Sequence, residues 1–451
     1  MTTYPDLALQ VPRVLLPIDD VDLERWAVIA CDQHASSPEY WSQVADIVGD
    51  APSTLELVLP EVYLVERDWP ERVRRINQHI QTRLEQGLLA ELTPGFVLVD
   101  RQTPRAASRK GLLVSLDLEH YSYRGETRTL IRTTEGTDPQ RLPPRVEVRR
   151  GASIELPHIL VLIDDPDRSI IEPLFDRRQR LNELYDTDLM LDGGHVRGWH
   201  VSGNDDIATV VAGLRRLRDP ERQSSRYGNA DDASPMLFAM GDGNHSFATA
   251  QEVWEEIKRS QPGVTHHPAR YPLVELVNLH DEGLTFEPIH RVVFDIDSDQ
   301  LLSTMSEYCR SQGSDLEIRD FANRHQWEQA RAELDVDGHQ LPFIADRRCG
   351  IATIHHPQQQ LAVAALQSFL SDGDRSLRID YIHGSDTVDD LGSRPGNIGF
   401  YTEVIDKHAL FRTIQTDGPL PRKSFSLGEA EEKRYYLEGR KLFDTYAADA
   451  R

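Results

Sequence analysis

Residues 236–246 read Met-Leu-Phe-Ala-Met-Gly-Asp-Gly-Asn-His-Ser, and this stretch decides how the centre of the chain folds. Five apolar residues, typical of a buried strand, run directly into a turn with two glycines. After the turn, apolar residues recur at the spacing of an amphipathic helix, at Phe247, Ala250, Val253, Trp254 and Ile257. The stretch therefore predicts a strand, a tight turn and a helix.

The turn carries residues suited to phosphate chemistry. Asp242 and His245 supply a metal ligand or an acid and base pair. Gly241 and Gly243 allow a backbone to approach a ligand closely, and the N–H groups that begin the helix favour an anion. The pattern is not the dinucleotide Gly-x-Gly-x-x-Gly, and the sequence contains no Walker motif. An ordinary turn, with Asp242 and Ser246 as turn and capping residues, explains the same sequence equally well.

A second group of charged and hydroxyl side chains lies upstream, between Arg132 and Arg145. It includes Glu135 and Thr137 as well as three arginines. Arginine binds phosphate or carboxylate through two parallel hydrogen bonds, so the group is a candidate anion site. A solvated loop with surface ion pairs is the alternative, and this group alone does not decide between them.

Outside residues 236–246, the spacing of apolar and polar residues predicts a mixed α+β chain. A helix is predicted after Asp68, ending at Gly87, and another over residues 429–446. Apolar, β-rich runs predict strands at 96–99, 112–116, 159–163, 272–279, 341–345 and 351–354. The polar stretch 219–234 is predicted to be a loop or linker between two lobes, residues 1–218 and 235–451.

Composition excludes several classes of function. The 451 residues carry 50 Lys and Arg against 74 Asp and Glu, so the formal net charge of −24 disfavours a nucleic-acid surface. Three cysteines are too few for a disulfide framework, and a reducing cytoplasm fits them. No run approaches the ~18 apolar residues that span a bilayer. We expect a cytoplasmic protein without nucleic-acid or membrane partners.

The central turn and several separated motifs resemble the bacterial and archaeal domain of unknown function 1015 family. The matching motifs begin at Trp26, Pro38, Gly241, Pro421 and Lys433, in the order Trp-Ala-Val-Ile-Ala-Cys-Asp-Gln, Pro-Glu-Tyr-Trp, Gly-Asp-Gly-Asn-His-Ser, Pro-Arg-Lys-Ser-Phe-Ser and Lys-Arg-Tyr-Tyr. The resemblance covers nearly the whole chain.

This sequence departs from the family pattern within the turn. Other members carry Asp-Gly-His-His-Arg, whereas Asn244 and Ser246 stand here at the first His and the Arg. The missing Arg removes a cation from the turn, so phosphate contacts must come from elsewhere. The upstream group, which resembles the family's Arg-His-Glu-x-Thr-Arg segment at Glu135, Thr137 and Arg145, is the supplier we expect.

The turn is also similar to one in the ParB and sulfiredoxin-like fold, some members of which bind nucleotides and phosphorylate free serine. The resemblance implies that one lobe has this fold and that the chain uses ATP and Mg²⁺ to phosphorylate a small metabolite, free L-serine first of all. The oligomeric state stays open.

The resemblance also implies roles for individual residues. Asp242 is implied as the catalytic base or the Mg²⁺ ligand, with His245 and Glu135 as further catalytic groups. The implied phosphate and nucleotide contacts are Gly241, Gly243, Asn244, Ser246, Thr137, Arg132, Arg145, His290 and Arg291.

Two other functions would use the same candidate residues. A metal-dependent hydrolase or phosphatase would direct the carboxylates and the metal at water. A non-catalytic sensor would bind the nucleotide without consuming it.

Overall fold

The computed structural model describes residues 1–124, 129–228, 235–332, 338–346, 348–372 and 377–443. Its helices, numbered in chain order, are α1 Leu23–Trp26, α2 Pro38–Val48, α3 Trp69–Glu85, α4 Leu142–Arg150, α5 Glu172–Asp176, α6 Asn204–Arg218, α7 Pro220–Tyr227, α8 Asn244–Ser260, α9 Ser298–Ser311, α10 Arg324–Ala332, α11 Ala362–Ser371, α12 Ser385–Gly392 and α13 Leu410–Thr416.

The strands, numbered the same way, are β1 Thr3–Tyr4, β2 Leu9–Gln10, β3 Leu15–Pro17, β4 Leu89–Glu91, β5 Phe96–Gln102, β6 Arg109–Leu116, β7 Tyr121–Ser122, β8 Ile131–Arg132, β9 Ile154–Glu155, β10 Leu160–Ile163, β11 Asn182–Leu189, β12 Gly194–Val201, β13 Phe238–Asp242, β14 Leu273–Asn278, β15 Phe286–Phe294, β16 Asp315–Asp320, β17 His339–Ala345, β18 Arg348–His355, β19 Arg378–His383, β20 Ile398–Phe400, β21 Phe425–Leu427 and β22 Arg440–Lys441.

The predicted elements around the central turn are confirmed. Helix α3 begins at Trp69 with Pro70 in its first turn, buries Val73, Ile76 and Ile80, and ends just before Gly87. The runs predicted as strands correspond to β5, β6, β10, β14, β17 and β18. The α+β fold class with mixed sheets and flanking helices is therefore confirmed.

The chain forms two compact units, but they do not divide it at 219–234 as predicted. The first unit comprises Met1–Thr285 and Leu427–Arg451, and the second comprises Phe286–Ser426. The reason is strand pairing, because β13 lies beside β10 in one sheet and ties the two predicted lobes together. Part of the predicted linker is α7, and residues 229–234 lie outside the described residues.

A mixed sheet organises the first unit, with strand order β11-β12-β5-β6-β14-β10-β13-β8-β7. The pairs β10 with β14 and β13 with β8 are parallel, whereas β13 and β10 are antiparallel. Both faces of this sheet are covered. Phe96 and Leu98 of β5 belong to one buried cluster, while Val97 and Val99 belong to the other.

The second unit has its own sheet, with strand order β16-β18-β17-β20-β15-β19. Alternate residues of β17 again enter separate clusters, Phe343 in one and Ile344 in the other. Each pair of neighbouring strands in this order is antiparallel.

The C-terminal part of the first unit is extended, and the helix predicted over 429–446 is wrong for its described residues. Only Ala430–Glu432 forms a short 3₁₀ turn there. Tyr435 instead forms an antiparallel bridge with Ile29, and β22 pairs with β9. Within the described residues, no helix combines the length and the apolar character needed to cross a bilayer.

Candidate functional site

The central turn joins β13 to α8 in the first unit, as the sequence predicts. Gly243 is the N-cap residue of the 17-residue helix α8 and has a φ of 78°, a left-handed conformation that favours glycine. Its carbonyl accepts the hydrogen bond from Phe247 N–H that closes the first helical turn. The first N–H groups of α8 therefore begin directly after Asp242 and Gly243.

The two glycines make room for the protein itself, which differs from the prediction that they admit a ligand. A Cβ on Gly241 would lie 2.7 Å from Leu427 Cδ1, and a Cβ on Gly243 would lie 3.0 Å from Ile159 Cγ1. The Gly243 N–H donates to Asp242 Oδ1 at 2.8 Å. The glycines thus allow close packing behind the turn and fix the carboxylate of Asp242.

Asp242 forms an ion pair with Lys433. Lys433 Nζ lies 3.0 Å from Asp242 Oδ2 and also donates to the Leu427 carbonyl. Burial acts to raise the pKa of Asp242, but the Lys433 ammonium outweighs it and holds this pKa below its ordinary value. Asp242 is therefore ionised at neutral pH. Lys433 supplies a cation to a turn from which the family's Arg is missing.

The described residues do not form a magnesium site around Asp242. Its carboxylate already faces an ammonium group, which occupies the place of a cation. Across the described ranges, no group of three or more His, Cys, Asp or Glu side chains is arranged to hold a metal ion. These residues alone therefore do not complete a magnesium site, and the metal-ligand role of Asp242 stays a prediction, since Mg²⁺ is commonly held by one or two carboxylates together with substrate phosphates.

The second group of the sequence meets the turn directly. β8 pairs in parallel with β13, so the loop that follows β8 lies beside the start of α8. The Thr133 hydroxyl lies 3.0 Å from Asn244 Oδ1, the Thr134 hydroxyl donates to the Met240 carbonyl, and the Asp138 N–H donates to His245 Nε2 at 3.3 Å. The two groups are parts of one site.

The other predicted residues of that group have varied surroundings. Glu135 and Thr137 lie half-buried in the same loop, and Arg132 donates to the Thr129 carbonyl. Arg145 pairs with Glu61, which also pairs with Arg141 at 3.4 Å. The charge of Arg145 is therefore balanced by a carboxylate within the protein.

Ser246 has a different set of partners from Asp242. Its Oγ lies 2.7 Å from His158 Nε2, and His158 Nδ1 lies 2.9 Å from the Tyr436 hydroxyl. The Cys31 N–H donates to the same phenol oxygen. Ser246 therefore belongs to a hydrogen-bonded chain that sequence spacing could not show, because its members are far apart in the chain.

His290 and Arg291 lie on β15 in the second unit. His290 is buried, and its Nδ1 accepts the Thr402 N–H. Burial, with Arg331 and Arg291 nearby, lowers the pKa of His290 to about 4. The Arg291 side chain is fully buried and donates to the Ile289 carbonyl. Both side chains are integrated into that unit's interior, and their predicted role as phosphate or nucleotide contacts is not evident in these hydrogen bonds.

Three residues of the site were missed as candidates. Lys433 and Tyr436 belong to the Lys-Arg-Tyr-Tyr motif that carries part of the family resemblance, so the signal was present but had no assigned chemistry. His158 stands between Pro157 and the apolar run of β10, and nothing in its neighbourhood distinguishes it from a core histidine.

The fold and the site define an α+β protein in which a strand-turn-helix with an Asp-Gly-Asn-His sequence meets a hydroxyl-rich loop. The chain belongs to the family described as "Protein of unknown function (DUF1015)", whose model matches residues 15–371. No curated protein matches the chain significantly.

Three solved structures are similar to this chain at low identity. A conserved hypothetical protein from Pyrococcus furiosus is 12% identical, with 73% of this chain and 95% of that chain covered and a TM-score of 0.35. A free serine kinase in complex with AMP is 11% identical over 73% and 91%, with a TM-score of 0.35. SbnI from Staphylococcus aureus is 8% identical over 75% and 90%, with a TM-score of 0.37. These scores are too low to support a conclusion about activity.

Proposed function

We propose that the first unit binds a nucleoside triphosphate at the 242–246 turn and transfers its γ-phosphoryl group to the hydroxyl of a small metabolite. The family resemblance suggests ATP as the donor and free L-serine as the first acceptor to test. The observation that carries the proposal is the Asp242–Lys433 pair at the start of α8, 3.0 Å apart.

The pair provides two of the functions that phosphoryl transfer needs. An ionised carboxylate accepts the proton that the attacking hydroxyl loses, which is the role of the catalytic aspartate in kinases. A cation and the N–H groups of a helix N-terminus stabilise the charge that develops on the phosphoryl oxygens. Asp242, Lys433 and the start of α8 bring these groups together in one turn.

The loop after β8 supports the proposal in a second way. Thr133 and Asp138 contact Asn244 and His245, so the loop and the turn hold one another in place. Within this site, Thr137 and Arg132 remain predicted contacts for the donor phosphates, and Glu135 remains a predicted catalytic group. No step is assigned to magnesium, since the described residues do not form a site for it.

The test is incubation of the protein with ATP, Mg²⁺ and L-serine, read by mass spectrometry for a product that has gained one phosphoryl group. Asp242→Asn is expected to lower this rate by about 10²–10⁴-fold, because the amide cannot take the proton. Asp205→Asn is the matched control, since Asp205 is an exposed acidic residue in the first turn of another long helix, α6.

The alternatives give different products in the same experiment. Free phosphate without phosphoserine would indicate a hydrolase, and bound but unconsumed ATP would indicate a sensor. Wild-type phosphorylation by Asp242→Asn would refute the assignment of Asp242.

A further inference from the structure

A cavity of about 150 Å³ lies in the first unit beside the Ser246 side of the turn. Much of its wall is apolar and includes Leu57, Leu59, Ile76 and Ile80. Ser246 also lines the cavity, together with His158 and Tyr436. The hydrogen-bonded chain from Ser246 to Tyr436 therefore borders an apolar space.

The hydrogen bonds of Tyr436 favour one tautomer of His158. The phenol oxygen accepts the Cys31 N–H at 3.1 Å, and the phenol also contacts the Cys31 thiol. Burial raises the pKa of that thiol to about 12, so it remains neutral. When the phenol O–H is directed to the sulfur, the remaining lone pair of the phenol oxygen accepts a hydrogen bond from His158 Nδ1–H. His158 Nε2 is then unprotonated and accepts the hydrogen of Ser246 Oγ.

Two polar groups in the cavity wall have no hydrogen-bond partner among the described residues. The Thr249 hydroxyl is buried, with only 3% of the residue exposed, and Arg149 has an unpaired buried Nε although its Nη2 pairs with Glu155. A buried donor without a partner is costly. A ligand that carries hydrogen-bond acceptors would satisfy both groups, and the apolar walls would hold its hydrocarbon part.

We propose that Ser246 is a nucleophile that His158 activates, and that the cavity accepts the acyl group of a carboxylic ester. A cavity of about this volume holds a benzene ring, so the acyl group is short or carries one small ring. This activity differs from the proposed phosphoryl transfer in its reacting groups, which are Ser246 and His158 rather than Asp242 and Lys433, although Ser246 also belongs to the turn proposed to bind the nucleotide.

The reaction proceeds in two balanced stages. Ser246 Oγ attacks the ester carbonyl carbon while its proton passes to His158 Nε2, and the tetrahedral intermediate then expels the alcohol, which takes that proton. Water next attacks the acylated Ser246 and gives a proton to His158. The C–O bond to the serine breaks, the carboxylic acid leaves, and Oγ recovers its proton from His158.

The first test is labelling of the full chain with a fluorophosphonate probe, followed by peptide mass spectrometry to locate the modified residue. We expect the label on Ser246 and its loss in Ser246→Ala. His158→Gln is expected to slow labelling by about 10²–10⁴-fold, because the amide cannot accept the proton. Ser260→Ala, at the exposed end of the same helix, is expected to leave labelling unchanged.

The second test measures hydrolysis of p-nitrophenyl butyrate and p-nitrophenyl palmitate, which differ in acyl length. The butyrate is expected to be hydrolysed and the palmitate to be excluded by the size of the cavity. Tyr436 is a positioning residue, so Tyr436→Phe is expected to lower kcat about tenfold with KM unchanged, because the ring remains in the cavity wall.

Two results would overturn the proposal. One is an unlabelled Ser246 in a wild-type chain that shows a cooperative melting transition. The other is labelling and ester hydrolysis that persist in His158→Gln. Phosphorylation of serine is a separate readout, so neither result depends on the proposed kinase activity.

Discussion

Lys433 and Arg434 are neighbours in the chain and both are buried, but the carboxylates that they pair with differ in exposure. Lys433 pairs with Asp242, whose side chain is 29% exposed at the turn. Arg434 pairs with Glu275 and Glu438, and all three side chains are at most 6% exposed. An extended backbone sends successive side chains in opposite directions, so one short segment contributes to a partly exposed ion pair and to a fully buried one.

The different partners of Lys433 and Arg434 make it possible to test function and stability separately in this segment. Burial opposes the charge of Arg434, but Glu438 and Glu275 outweigh it and raise its pKa above the ordinary value. Arg434 Nε also donates to the Pro157 carbonyl at 2.9 Å, directly before His158. Arg434 therefore supports the site from behind, whereas Lys433 takes part in it.

The largest expected effect is on Arg434. Replacement by Met leaves two buried carboxylates without a cation, and we expect the free energy of unfolding to fall by about 3–5 kcal/mol. Urea unfolding monitored by circular dichroism measures this loss. A loss no greater than that of Lys433→Met would show that the two environments do not differ in the way described.

A smaller effect with a distinct pH dependence is expected for Lys433→Met. The pKa of Asp242 is lowered in the folded chain, so the pair stabilises the fold above the ordinary carboxyl pKa of about 4 and stops doing so as the pH falls through the folded-state value. We expect a loss of about 1–2 kcal/mol at neutral pH and none in strong acid. Equal losses at both pH values in urea unfolding would contradict this linkage.

The smallest expected effect is that of Lys433→Arg. A guanidinium keeps a positive charge beside Asp242 but must fit a larger head group at a buried position, so we expect the free energy of unfolding to fall by about 1 kcal/mol or less. Arg434→Lys should cost more, because a single ammonium cannot reach Glu275, Glu438 and the Pro157 carbonyl together. The melting temperatures of Lys433→Arg and Arg434→Lys measure this difference in stability. Equal decreases in melting temperature would contradict it.

The sequence predicted the elements of the fold better than their arrangement. Local periodicity was sufficient for α3, the strand-turn-helix and the main strands, because each signal lies within a few residues. The division into units was not predicted, since it depends on the pairing of β13 with β10 and of the C-terminal segment with Ile29. Such pairings join residues that are distant in the chain.

The candidate site was predicted in the same uneven way. Asp242, Asn244 and His245 lie in one motif, and the structure adds the loop of Thr133 and Asp138 to them. His158 was missed because hydrogen bonds across long separations leave no local pattern, whereas Lys433 and Tyr436 lie in a family motif to which no chemistry was assigned. Arg291 was implied as a phosphate or nucleotide contact, yet its fully buried side chain belongs to the interior of the second unit.

The first unit is discontinuous in the chain, because Phe286–Ser426 stands between its two parts. Lys433, Arg434 and Tyr436 come from the later part, so a ribosome must synthesise the whole of the second unit before these side chains exist. At about 5–20 residues per second, this delay is on the order of ten seconds. During that interval the nascent first unit holds the carboxylates of Asp242 and Glu275 without Lys433 and Arg434, so a chaperone that shields these carboxylates would act before the last part of the chain is made.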